Sequence, residues 1–229
     1  MYGDCEMNYE EAVEITKKLT VTSKMPCKSY SLPSAMCHTG AVLKNVEGAT
    51  CSECYTYKYE RYQHVIPLQL KRMKAVCDKR WVKAMVIVLK HEGNSYFRWH
   101  DSGDIQGVWH LEKIVSVCKQ TPEIHHWLPT LEANMLRRYV KKHGKLSQVT
   151  NLCVRMSTPM WDGKPNVNMA KALGVTLSNV TLDSGMFKEH TKEELDPTNF
   201  CVSKKQDGHC LECRKCWNTE QQLITYLKH

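Results

Sequence analysis

Three phenylalanines are all the chain contains, no apolar run approaches the length of a bilayer span, and the opening stretch MYGDCEMNYEEAVE is acidic and polar. A membrane-crossing helix needs about 20 consecutive apolar residues, so no membrane partner is expected. A secretory leader needs an apolar stretch that this N-terminus lacks. Small secreted folds stapled by disulfides are short and loop-rich, whereas this chain has 229 residues. Its 12 cysteines are therefore expected to be metal ligands or buried thiols in a reducing, cytoplasmic compartment. A net charge of +8 favours an anionic substrate, cofactor or nucleic acid without choosing among them.

Cysteine spacing is the strongest signal present. Cys210, Cys213 and Cys216 form C-x2-C-x2-C, with Cys201, separated from Cys210 by eight intervening residues, as a fourth thiolate, and Cys37 precedes the CxxC pair Cys51 and Cys54. Thiolates this close in sequence can turn toward one centre, as in zinc and iron–sulfur sites. A complete four-cysteine set leaves no open position for substrate, so the C-terminal site reads as structural or electron-transferring. Cys27 and His38 lie near enough to the first group to be its fourth ligand, and His38 would make a zinc site of three cysteines and one histidine. Cys5, Cys77, Cys118 and Cys153 read as buried packing thiols.

Asn8 followed by Glu11 resembles a capping box opening a helix with Ala12, Val13, Ile15 and Leu19 at helical spacing. Residues 20–56 read as an irregular loop held by a metal, and 57–80 as a helix. Strands are expected at 84–89, 96–101, 124–129, 151–156 and 175–182, with helices at 108–119 and 131–143. Strands alternating with helices imply parallel pairing. The expected fold is α/β, a partial or open (β/α) barrel of about five or six parallel strands with a cysteine-rich C-terminal extension. Residues 1–56 would form an N-terminal helix and cysteine loop, 57–190 the βα core, and 191–229 the four-cysteine segment, all in one compact unit.

The segment FRWHDSGDIQ runs off a strand through His100, Asp101, Ser102, Gly103 and Asp104. Adjacent strand residues face opposite ways, so His100, Asp101 and Ser102 cannot be a hydrolase triad. Gly103 beside Asp104 suits either close backbone approach to a ligand or an ordinary turn. Alternation puts Arg98, His100 and Ser102 on one face, and Arg155 and Ser157 on a shared face of another strand. The basic run Arg137, Arg138, Lys141, Lys142, His143 and Lys145 is a solvated helix face or a docking surface for nucleic-acid phosphate. Trp99, Trp127 and Trp161 are core residues or stacking platforms for a base.

The ordered motifs Cys37…Cys51-Ser-Glu-Cys54-Tyr55, FRWHDSGDIQ, HHWLPTLEA, NLCVRMS and Cys201…Cys210-x2-Cys213-x2-Cys216-Trp217 resemble the phage gene-product-88 family, itself similar to radical S-adenosylmethionine (SAM) proteins. The resemblance implies a [4Fe–4S] cluster on Cys37, Cys51 and Cys54 with Tyr55 beside it, and Ser102-Gly103-Asp104 where a Gly-Gly-Glu element would hold the SAM amino group. It implies a second, auxiliary [4Fe–4S] cluster on Cys201, Cys210, Cys213 and Cys216. His100, Asp101, Arg155 and Ser157 would line the substrate cavity. An electron donor is implied, and the host cytoplasm as location. The sequence departs from the radical-SAM pattern in two places: thirteen residues separate Cys37 from Cys51, and the expected glutamate is Asp104. A non-catalytic iron–sulfur redox or regulatory protein, and a zinc-stabilised nucleic-acid-binding protein, stay open as alternatives.

Overall fold

The structure, a computed structural model, describes residues 7–182 and 199–228. Cys5 and the expected boundary between core and C-terminal segment lie outside them. Seven strands form one sheet: β1 (Thr20–Val21), β2 (Lys28–Tyr30), β3 (Tyr96–Trp99), β4 (His125–Thr130), β5 (Leu152–Ser157), β6 (Thr176–Thr181) and β7 (Leu223–Leu227). Their spatial order is their chain order, and the sheet is not closed. β1 is antiparallel to β2, while β2 through β7 run parallel. Both terminal segments thus enter the sheet, β2 from the first and β7 from the last. The segment expected as a C-terminal extension supplies a strand instead of standing outside.

The helices are α1 (Tyr9–Thr16), α2 (His38–Leu43), α3 (Thr56–Tyr59), α4 (Val65–Val76), α5 (Trp81–Glu92), α6 (Val108–Gln120), α7 (Ala133–His143) and α8 (Val167–Leu173). Asn8 caps α1 as expected, accepting from Glu11 N at 2.8 Å. The helix stops at Lys17, in the left-handed region, so Leu19 falls beyond it. The strand expected over 84–89 is instead the middle of α5. Six consecutive apolar residues do not discriminate strand from buried helix, and here Trp81, Ala84, Met85, Val88 and Leu89 are buried at helical spacing. The helix expected over 57–80 is divided into α3 and α4. No helix among the described residues is long and apolar enough to cross a membrane.

Strand alternation gives the sheet two unlike faces. Tyr30, Phe97, Trp99, Leu128, Leu152, Val154, Met156 and Leu177 point into one large core, where they meet Ala75, Trp81, Leu111, Leu136 and Leu173 from α4 through α8. Burial of each such aliphatic side chain contributes roughly 1.5–3 kcal/mol. On the opposite face the register aligns Ser29, Arg98, Trp127 and Cys153 in one row across four strands. The cysteine-bearing segments lie against that second face and the strand ends above it.

Candidate metal centres on the second face of the sheet

The loop carrying Cys37, Cys51 and Cys54 is pinned across the C-terminal ends of β3, β4 and β5. Glu60 accepts from Ser34 N and Oγ at 2.8 and 2.6 Å and from Ser102 Oγ at 3.3 Å, beyond β3. Glu132, just past β4, accepts from Thr39 N and Oγ1, both at 2.8 Å. Beyond β5, Thr50 N donates to Pro159 O at 2.8 Å and Trp161 N to Gly48 O at 2.8 Å. Neither glutamate was identified from the sequence; for Glu132 an acid directly after a strand was the signal available, whereas Glu60, at the end of a short helix, offered none.

These anchors bring the three thiols together. A Cβ on Gly40 would stand 3.0 Å from Cys37 Cβ, 3.4 Å from Cys51 Sγ and 3.7 Å from Cys37 Sγ, so this glycine leaves room for both sulfurs. Burial, with Cys54, Asp104 and Glu132 adding negative charge nearby, pushes Cys51 up to about 12. Cys37 is raised further, again chiefly by burial. Thiolates so placed need a cation, the condition that metal ligation meets. His38 is exposed at the start of α2.

Ser102-Gly103-Asp104 turns away from β3 beneath this loop. Gly103 has φ +80°, and a Cβ there would lie 2.6 Å from Leu32 Cβ and 2.8 Å from Leu32 O. The close backbone approach that Gly103 permits is therefore made by the chain's own Leu32, whose N–H donates to Ser102 O at 2.8 Å. Asp104 is buried and accepts from Ile105 N at 2.7 Å and Leu131 N at 2.9 Å, one on each oxygen. Burial raises it from 3.8 to about 7 despite these bonds.

His100 does not share a face with Arg98. Its φ of +55° breaks the alternation, and the ring packs 5.3 Å from His110 of α6, on the helical side. Burial first, and the Arg98 charge second, lower it to about 3, so it is neutral. Asp101 stays on the second face, accepting from Ser29 Oγ at 2.7 Å. Tyr55 donates its hydroxyl proton to Asp101 O and accepts from Arg98 Nη2 at 3.0 Å. Arg98 also lies over the Trp127 ring at 4.4 Å.

The C-terminal thiols are organised by Arg155. All five of its N–H groups are turned on backbone carbonyls: Cys216 O at 3.1 Å, Lys215 O at 2.7 Å, Asn218 O at 2.9 Å, Gln221 O at 2.9 Å and Leu177 O at 3.3 Å. It is fully buried and fixes the turn bearing Cys216 and Trp217 onto the sheet, with no donor remaining for a substrate. Ser157 shares a 3.1 Å hydrogen bond with Ser178. Cys216 lies 3.2 Å from the Tyr226 hydroxyl, and Cys201 and Cys210 are its thiol neighbours. Cys213 N donates to Cys210 O at 2.8 Å. Cys27 packs with this group, beside Cys216 and Trp217, and not with the N-terminal one. Cys118 and Cys153 are buried as expected, whereas Cys77 is exposed.

The remaining sequence features fall outside both thiol groups or into packing. Trp99 is in the helical core, Trp127 packs with Cys27 and Cys216, and Trp161 lies 3.7 Å beneath the Lys228 ammonium. Arg137, Arg138 and Lys141 are exposed on α7, while Lys142 and His143 pair with Glu112. Among the described residues no three His, Cys, Asp or Glu side chains already stand in the arrangement of a formed metal site.

An open, mostly parallel α/β sheet with separate thiol groups at its strand ends and on its second face defines the class of protein. Residues 7–219 match the family model described as Gene product 88, and the chain belongs to that family. No curated protein and no solved structure matches it.

Proposed function

We propose that this protein is an iron–sulfur protein. In this reading Cys37, Cys51 and Cys54 hold a [4Fe–4S] cluster that binds and reductively cleaves SAM, and Cys201, Cys210, Cys213 and Cys216 hold an auxiliary cluster. The observation that carries the reading is the gathering of Cys37 and Cys51 around Gly40, with Cys54 as a neighbour of both, at the C-terminal ends of parallel strands, where α/β sheets collect their chemistry. Sequential parallel strands are also what a partial (β/α) barrel requires, and we read the sheet as one. The bound cluster would supply the electron for reduction, drawn from an external donor. Glu60 and Glu132 would hold the ligand loop in place, and Tyr55 with Arg98 would close its flank over Asp101. Asp101 and Ser157 would face the substrate, with Arg155 acting through the segment it clamps and His100 behind the strand end.

A second reading, a redox or regulatory iron–sulfur protein without SAM chemistry, is favoured by one feature. Both carboxylate oxygens of Asp104 are already engaged by backbone N–H groups, which leaves less capacity for a substrate amino group. Anaerobic purification decides the first point: brown protein with on the order of eight irons per chain is expected from two cubane clusters. Colourless protein holding zinc at both sites would overturn both readings. A spectral change of the reduced cluster on adding SAM selects the first reading over the second.

A further inference from the structure

We propose that Cys27 is a ligand of the C-terminal centre, so that this site is built from both ends of the chain. The inference rests on the reading of the C-terminal thiols as an iron–sulfur site and adds a ligand that sequence distance conceals. Cys27 is 174 positions before Cys201, yet the segment leading into β2 lies directly on the C-terminal turn. Lys24 O accepts from Cys210 N at 2.9 Å, and Gly208, at φ +82°, makes room for the Lys24 side chain. Three residues further on, Cys27 is 7% exposed and packs in one cluster with Cys216, Trp127, Trp217 and Ile224, with Cys201 and Tyr226 against the same cluster. Its charged neighbours are Arg98, Cys210 and Arg214.

That setting differs from the setting of a packing thiol. Cys118 is buried among the aliphatic and aromatic side chains of the helical core. Cys27 instead shares its surroundings with further thiols and two guanidinium groups. Arg98 has a buried Nε without a hydrogen-bond partner in this same region, which suits a cation facing an anionic thiolate-bound centre. Cys27 is thereby removed from the N-terminal group, where Cys37 has Asp104, Cys51, Cys54 and Glu132 as its charged neighbours. The N-terminal site keeps three thiols, and at the C-terminal site Cys27 takes the fourth position beside Cys201, Cys210 and Cys216, in place of Cys213, which neighbours Cys210 alone.

The test compares wild type, Cys27→Ser and Cys77→Ser, all purified and reconstituted without oxygen, by iron and sulfide content. Wild type and Cys77→Ser are expected to hold about eight irons, and Cys27→Ser about four. Eight irons in wild type and in Cys27→Ser would overturn the role of Cys27 while leaving the functional reading intact; no iron in wild type would overturn both. Should circular dichroism show Cys27→Ser to be unfolded, alkylation of wild type before and after chelation decides. Labelling of Cys27 together with Cys210 and Cys216 only after chelation supports ligation. If Cys27 stays as silent as Cys118 after chelation, it is a packing thiol and the proposal falls.

Discussion

Asp104 places a carboxylate in a buried position where two backbone N–H groups hold it and little of it meets solvent. Its folded-state value, raised from 3.8 to about 7, means that the folded protein binds this proton more tightly than the unfolded chain does. Stability contributed by the protonated form is present at low pH and falls as pH rises through about 4 to about 7, by on the order of a few kcal/mol. Asp104→Asn should flatten the denaturation midpoint against pH across that window; an unchanged slope would assign the dependence to another group. Gly103→Ala should destabilise by about 2–3 kcal/mol, because it forces a Cβ onto Leu32 at a positive φ, and chemical denaturation measures it. The sequence left two readings open, something approaching Gly103 closely, taken as a ligand, or an ordinary turn. It held no means of saying that the something is Leu32, seventy-one positions earlier, since only the pairing of β2 with β3 brings them together.

Arg155 shows how one side chain can govern a whole element. Its five hydrogen bonds tie the turn bearing Cys216 and Trp217, and the approach to β7, to the centre of the sheet. Arg155→Met would leave these carbonyls without their donor and is expected to cost about 3–5 kcal/mol, read by urea denaturation. Iron content should fall in the same variant. A fall confined to stability, with the full metal load retained, would separate the clamp from the C-terminal site. Alternation along NLCVRMS correctly put Arg155 and Ser157 on one face, but it could not show that the face was filled by the chain's own end. Elements with a full helix or strand signature, such as α6, α7, β4, β5 and β6, were legible. β1, β2 and β7 were not, because two or three residues carry no measurable period and LITYL has a strand's length without a strand's setting. The apolar run at 84–89 was misread for the opposite reason: its hydrophobicity was uniform, and length and burial, not pattern, made it α5.

At the scale of the molecule, the two faces of the sheet divide the labour. One holds the helical core that stabilises the fold, and the other carries the thiol-bearing segments, whose attachments are polar hydrogen bonds and a small cluster around Trp127 and Trp217. Stripping metal should therefore lower the melting temperature and loosen the second face while sparing the helices. Hydrogen exchange is expected to rise in residues 34–54 and 201–217 and to stay low in α5 and α6. Uniform loss of protection over all helices would mean that metal and core form a single cooperative unit.

Because the strands are laid side by side in the order in which they are translated, a nascent chain can assemble this sheet from one edge to the other as it emerges. The bond from Cys210 to Lys24 and the contact of Lys228 with Glu53 at 3.0 Å are exceptions, joining what is made first to what is made last. Cys27 and the Cys51–Cys54 loop leave the ribosome long before these partners exist. In the proposed iron–sulfur reading, Cys27 therefore waits without its partner thiols until residues 201–216 have been made, and a cofactor at that site could be inserted only after them.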